Sequence, residues 1–350
     1  MHTLAIGLVE VGADVVVWTR GGGERGAALR RTEHPVGVRV VALPGRSWRA
    51  RGHRHWGRGA RRRLPLDRPD LVIASSWDVL PGLLATGPVC RVACFAHGRD
   101  ITAALSPERS AARARVLEHA SVTWLCLTSW MQEQLVSRGV DPTRVVVVPA
   151  AVPGPNWGER EHPPLSRPTQ LLTLGRLIPR KGHDVLFDAW PRLLTQHPGV
   201  CWDIVGEGPE RGSIEVRAGS YPGVRVHGFL EPDALEAMWR KADLLVLPCR
   251  EESEGDTEGY GLVFLEAAAR GVPVVGGGTA GAREAVAAVG GWIIEDPASS
   301  DAVASTLVAV LDSQDLPTRG RAAHAAWQAH ARPTHLASAV LGLQDIAEVA

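Results

Sequence analysis

The sequence predicts an α/β protein made of two Rossmann-like, doubly wound domains facing each other across a cleft. Three observations predict it. Short β-rich apolar runs alternate with helical stretches along the whole chain, they fall into two series of six, and a Pro- and Gly-rich stretch separates the series. The length of 350 residues agrees, since a single core stops growing near ~250–300 residues.

The first series is ADVVVWT (13–19), VRVVAL (38–43), DLVIAS (70–75), RVACFA (91–96), VTWLCLT (122–128) and RVVVVPA (144–150). Several of these runs are apolar on both faces, as a parallel sheet covered by helices on both sides requires. AVPGPNWGEREHPPLSRPTQ (151–170) has no apolar period and reads as an interdomain linker. The second series is QLLTLG (170–175), VCWDIVG (200–206), VRVHG (224–228), DLLVLP (243–248), VPVVGG (272–277) and GWIIE (291–295). From Arg319 onward the pattern is helical but broken by Pro333, with one helix ending near Arg332 and another opening on Thr334 as its N-cap. The domains expected are 1–155, 156–326 and a pair of helices over 327–350 that crosses back to the first domain. Ligands in such sheets bind at the carboxyl ends of the strands.

Composition bounds the function classes. Hydrophobic residues make up 45% and charged residues 22%, which excludes global disorder. No apolar run approaches the ~18–20 residues that span a bilayer, and the N-terminus lacks the basic flank and cleavage site of a secretory signal, so a cytoplasmic protein is expected. Five scattered cysteines (Cys90, Cys94, Cys126, Cys201, Cys249) make neither a disulfide framework nor a metal site, so no metal is expected. The net charge of zero conceals two lobes. Residues 1–150 carry 21 Arg against 12 acids, and residues 151–350 carry 17 basic against 26 acidic residues. Only Lys181 and Lys241 are lysines, which makes each notable, because arginine is not an equivalent point charge.

Two stretches carry chemistry. In EESEGDTEGYGLVFLEAAARGVPVVGGGTAGAREAV (251–286), Glu258 and Glu266 stand eight apart around a Gly-rich turn that opens a helix. Such a turn presents backbone N–H groups to a phosphate. Glu266 lies in the apolar run LVFLEAAA, where a carboxylate must be paired or ligand-bound to offset its desolvation. In LLTLGRLIPRKGHDVLFDAW (171–190), Arg176 and Lys181 follow a strand's carboxyl end, and a fork plus a compact charge suits a diphosphate. The competing readings are a solvated acidic loop before an amphipathic helix and a solvated basic loop.

The order GRL…KG, GEGP, HGF…LP and then E-x7-E resembles glycosyltransferase family 4, retaining enzymes of the GT-B fold, over essentially the whole chain. The resemblance leans toward bacterial members that transfer mannose or similar sugars to lipids and small acceptors. It implies that Arg176 and Lys181 hold the donor diphosphate, Glu258 contacts the donor hexose and Glu266 the ribose. It also implies that the N–H groups around Gly259, Tyr260, Gly261 and Leu262 face the phosphates, with the base near Gly228 and Phe229. In CFAHGRDIT (94–102) it makes His97 the residue that orients the transferred sugar or the acceptor, against the reading of a solvated loop histidine.

The activity so implied is metal-independent, retaining transfer of a mannose- or glucose-type hexose from a GDP- or UDP-linked donor to a hydroxyl of a lipid, glycan or small molecule. No cofactor is needed. The acceptor proton would pass to a donor phosphate oxygen during same-face attack. One departure stands out: the family begins with a strand and a glycine-rich loop, whereas here Met1 already falls in what reads as the following helix. That strand would be central in the sheet, so its neighbours would lose a partner. The departure motivates an alternative, a truncated or non-catalytic nucleotide-sugar-binding chain. A nicotinamide-dependent oxidoreductase fits poorly, because no G-x-G-x-x-G follows the first strand. GRSWRARGHRHWGRGARRR (45–63), with eight Arg, two Trp and no acid, suits the anionic headgroups of an inner membrane face, or is simply a loop. No nucleic-acid motif accompanies it.

Overall fold

The structure, a computed structural model, describes residues 2–20, 38–43, 64, 67–85, 90–155, 169–252 and 256–342. The segment 45–63 and most of the expected linker lie outside the described residues. The chain divides into two compact units, residues 1–150 with 333–350 and residues 151–332. The sequence reading expected divisions at 155/156 and 326/327. The twelve predicted strands all form.

The first unit holds β1 (Val15–Arg20), β2 (Val38–Leu43), β3 (Leu71–Ala74), β4 (Arg91–Phe95), β5 (Val122–Cys126) and β6 (Val145–Val147). They form two separate sheets rather than one, a parallel pair β1-β2 and a parallel four-stranded sheet β3-β4-β5-β6. The physical reason is that no strand among the described residues joins the free edge of β1 to that of β3. Trp77, Leu80, Ile101, Trp124, Met131 and Leu135 pack the four-stranded sheet's core. Thr128 caps the helix Ser129–Val136, its Oγ1 accepting from the Met131 N–H at 3.1 Å.

The helix Pro333–Leu341 packs on the N-terminal helix His2–Glu10. Gly7 permits the approach, since a Cβ there would stand 2.0 Å from the Pro333 carbonyl oxygen. That last helix opens on Pro333 rather than after Thr334 as an N-cap, because proline's fixed φ suits the first helical turn. The preceding helix, Leu316–His330, stays with the second unit. Its Trp327 indole donates to the Val152 carbonyl at 3.1 Å, and the Ala331 carbonyl accepts from the Val152 N–H at 3.1 Å. Those bonds hold residues 327–332 to the second unit rather than to the closing pair of helices in which the sequence places them.

The second unit holds β7 (Gln170–Leu174), β8 (Cys201–Val205), β9 (Val224–Gly228), β10 (Leu244–Leu247), β11 (Val274–Gly277) and β12 (Trp292–Ile294). All are parallel in the order β12-β11-β10-β7-β8-β9. Phe187, Trp190 and Trp202 anchor the core on one face. The Trp202 indole donates to Thr173 Oγ1 at 2.7 Å, and that hydroxyl donates to the Val246 carbonyl at 3.0 Å, so these two buried polar groups are satisfied. The strand order reverses between β7 and β10, and such a switch point leaves a crevice at the strands' carboxyl ends.

Candidate functional site

The loops leaving β7 and β10 meet at that switch point. After Gly175 the chain passes Arg176 and a tight turn, Pro179–Lys181, then Gly182 at φ +71°, which opens the helix His183–Gln196. A Cβ on Gly182 would stand 2.3 Å from the Pro248 carbonyl oxygen, so only glycine lets the two loops touch. The Arg180 carbonyl then accepts from the Arg250 N–H at 3.0 Å.

This contact turns Lys181 and Arg180 inward, leaving them 7% and 6% exposed. Lys181 Nζ donates to Glu258 Oε2 at 2.6 Å and lies 3.9 Å from Cys249 Sγ. Arg180 Nη1 donates to the same carboxylate oxygen, while its Nε stands 3.3 Å from Asp256 Oδ1, a charge contact rather than a directed hydrogen bond. Burial pushes the Glu258 carboxyl up, but Lys181 and Arg180 together outweigh burial and hold it below the usual range. Burial drives the Cys249 thiol up to about 11, so it stays protonated beside them.

Past Glu258 the chain turns through Gly259 and Tyr260 to Gly261 at φ +88°, the residue preceding the helix Leu262–Ala269. The Glu258 carbonyl accepts from the Gly281 N–H at 3.2 Å, and a Cβ on Gly281 would meet the Gly259 carbonyl oxygen at 1.9 Å. Two glycine-rich turns are thereby pressed together, and the first N–H groups of the helix, beginning at Leu262, have no partner within it. Burial, first, and the neighbouring Tyr260–Glu284 charge interaction push the Tyr260 phenol up to about 12.

Glu266 follows one turn inside, mostly buried. Its carboxylate makes no hydrogen bond or ion pair among the described residues, because the nearby Arg270 is spent on Glu236 at 3.1 Å and on the Glu266 carbonyl at 3.0 Å. Burial raises its pKa, with Arg270 opposing and Glu236 adding to the rise.

The remaining positions fall along the same strand ends. Gly228, at φ +67°, ends β9, and its carbonyl accepts from the Gly206 N–H at 2.8 Å. A Cβ on Gly206 would stand 1.8 Å from the Gly175 carbonyl oxygen, so the ends of β9, β8 and β7 form a continuous row. Phe229 donates its N–H to Glu207 Oε1 at 3.1 Å and leaves its ring 69% exposed. Arg176 is exposed, and while its carbonyl accepts from the Ile178 N–H at 3.0 Å, its guanidinium makes no protein hydrogen bond or ion pair among the described residues. Arg176 and Lys181 therefore differ: one is an open cation, the other a buried, committed one. Sequence reasoning missed Arg180, whose only signal is its place beside Lys181.

His97 lies in the first unit, on the loop after β4. Its Nε2 is 2.9 Å from the Ser75 carbonyl, which can only accept, so Nε2 carries the proton and Nδ1 is the basic nitrogen of the neutral ring. The His97 N–H donates to Asp100 Oδ1 at 2.9 Å, and the ring stacks on Phe95 at 5.8 Å. No group of three His, Cys, Asp or Glu side chains able to hold a metal occurs among the described residues.

Residues 1–153 match the family described as Glycosyltransferase Family 4, and residues 168–313 match Glycosyl transferases group 1. A GDP-mannose-dependent alpha-(1-6)-phosphatidylinositol monomannoside mannosyltransferase of Mycolicibacterium smegmatis is 30% identical over 280 residues, 73% of this chain and 71% of the relative. The chain belongs to glycosyltransferase family 4. A mannosyltransferase of the same description from Mycobacterium tuberculosis is 38% identical over 165 residues, 46% of this chain. There the match spans 43% of the relative's length. The solved sucrose-phosphate synthase from Thermosynechococcus elongatus superposes with a TM-score of 0.74 at 18% identity, covering 99% of this chain and 91% of that one. The family-4 chain thus shares the GT-B fold of two parallel-sheet α/β domains.

Proposed function

We propose that this family-4 chain is a retaining hexosyltransferase that moves mannose, or a closely similar hexose, from a GDP-linked donor to a hydroxyl of a lipid, glycan or small-molecule acceptor. The observation that carries the reading is the Lys181–Glu258 contact at the switch point, with the partnerless Glu266 carboxylate one turn inside the helix Leu262–Ala269 that follows. GDP is preferred over UDP because the relatives at 38% and 30% identity are named for GDP-mannose.

In this reading negative charge develops on the departing diphosphate. Arg176, Lys181 and the N–H groups at the start of the helix Leu262–Ala269 oppose it, and groups already in place act without reorganisation cost. Glu258 orients hexose hydroxyls, Glu266 accepts from the ribose hydroxyls, and Gly228 and Phe229 border the base. His97 presents Nδ1 to the transferred sugar or the acceptor. Retention follows from same-face attack, with a donor phosphate oxygen taking the acceptor proton, and the positive potential needs no metal. The basic segment 45–63 suits an acceptor held in an anionic membrane.

The test is incubation of the protein with GDP-mannose and a phosphatidylinositol-containing lipid extract, reading GDP release and mannosyl-lipid. Product with an α-linkage supports the proposal. A second reading, nucleotide-sugar binding without turnover, is favoured by the divided sheet of the first unit. Saturable GDP binding with no transfer or hydrolysis, under any acceptor, would establish it instead.

A further inference from the structure

Lys181 is already engaged in the free protein. Its ammonium gives one donor to Glu258 at 2.6 Å and rests 3.9 Å from Cys249 Sγ. A diphosphate carries more charge than one carboxylate and would draw those donors toward itself. Glu258 would then be a mostly buried carboxylate deprived of one of its two cations, a situation that burial resolves by protonation or displacement. Arg180 is the other cation on the same Oε2 atom.

Arg180 is itself held from several sides. Its Nε faces Asp256 at 3.3 Å, and its carbonyl accepts from the Arg250 N–H at 3.0 Å. The Arg250 guanidinium bonds Asp184 and Glu252, each at 2.8 Å. The Glu252 N–H closes the circuit by donating to the Asp256 carbonyl at 3.0 Å. A guanidinium so anchored presents a fixed fork, whereas an ammonium on a flexible stem does not. The charged groups acting on Glu258 are Lys181 and Arg180, with the protonated Cys249 thiol beside Lys181 and Asp256 acting through Arg180.

Resting on the donor-site reading above, we propose that Arg180 is a positioning residue that holds Glu258 ionised and in place when Lys181 transfers its hydrogen bonds to the donor diphosphate. The guanidinium does not touch the donor in this arrangement. It acts through Glu258, so its loss affects the transfer step more than nucleotide affinity.

The experiment compares wild type with Arg180→Gln and Arg180→Lys. It reads GDP affinity by calorimetry, kcat and KM for transfer from GDP-mannose, and the carboxyl ¹³C titration of Glu258, assigned with Glu258→Gln. Arg180→Gln is expected to keep GDP affinity within about threefold and to lower kcat by roughly 100-fold, the scale of a misplaced catalytic group. The Glu258 titration should move to higher pH, carrying the acid limb of the rate profile with it, and Arg180→Lys should recover part of both. An unmoved Glu258 titration, or a kcat equal to wild type, overturns the proposal. So does a loss of GDP affinity that matches the loss of kcat. Should Arg180→Gln fail to fold, Arg180→Lys carries the test alone: an ammonium on a flexible stem in place of the anchored fork is expected to move the Glu258 titration to higher pH and to lower kcat, and an unmoved titration overturns the proposal. If wild type transfers nothing, the donor-site reading fails, while the Glu258 titration still decides the role of Arg180.

Discussion

His183 offers a stability test rooted in the same loop. It opens the helix His183–Gln196 directly behind Lys181 and Gly182, is 1% exposed, and neither ring nitrogen has a hydrogen-bond partner among the described residues. Burial, first, and the Lys181 charge, second, lower its pKa from 6.5 to about 4, with Asp184 opposing. The folded state therefore resists a proton that the unfolded chain accepts. Above pH 6.5 both states are neutral and the group contributes nothing to the pH dependence. As pH falls from 6.5 toward 4, stability is lost at up to about 1.4 kcal/mol per unit, a total of order 3 kcal/mol. Between pH 8 and pH 5 the loss from this one group is about 2 kcal/mol. The assay is urea unfolding followed by tryptophan fluorescence at pH 8, 6.5 and 5, on wild type and on His183→Leu. The difference between the two proteins should grow by about 2 kcal/mol in favour of the leucine variant as pH falls. Parallel curves would refute the reasoning.

Glu266→Ala is expected to weaken GDP binding by roughly 10- to 100-fold, the worth of a hydrogen bond to a charged group, as read by calorimetry. Its melting temperature should hold or rise, because the carboxylate it removes has no protein partner; a large loss of stability with unchanged affinity would count against the assignment. Lys181→Ala is expected to lower kcat by about 100- to 1000-fold in the GDP-mannose transfer assay, the range for loss of a donor aimed at developing charge. Gly281→Ala would drive a methyl group into the Gly259 carbonyl and displace the turn before the helix Leu262–Ala269, so GDP binding should fall below detection. Gly212→Ala, with open space around its Cβ position, should bind as wild type does.

The strands were legible because each is a short apolar run flanked by turn residues, and parallel sheets covered on both faces have that pattern. The carboxyl ends of the strands were legible as the ligand side, but that β7 and β10 flank the switch point was not, because the order of strands in a sheet is set by their packing and not by their order in the chain. Side-chain partners were harder to read. Lys181 stood out as one of two lysines, yet its engagement with Glu258, 77 residues away, depends on Gly182 letting two loops touch, which no local pattern encodes. Arg180 was hidden by abundance, because all but two of the 38 basic Lys and Arg residues are arginine. Adjacency in a loop also does not reveal that both Arg180 and Lys181 turn inward. The end of the second unit was misplaced for a similar reason: the Trp327 indole reaches the Val152 carbonyl, a bond 175 residues long in sequence. In the first unit, apolar runs identified the strands, and their division into two sheets agrees with the expectation that neighbours of a central strand lose a partner.

The central claim is that the second unit takes a nucleoside diphosphate sugar at the Lys181–Glu258 contact. Thermal melting with GDP, UDP and ADP over a concentration series tests it most directly. A ligand bound only by the folded protein stabilises it by about 2.7 kcal/mol at a hundred times its Kd. GDP is expected to raise the melting temperature of wild type with saturation, at lower concentrations than UDP or ADP. Melting that none of the three nucleotides raises would contradict the claim.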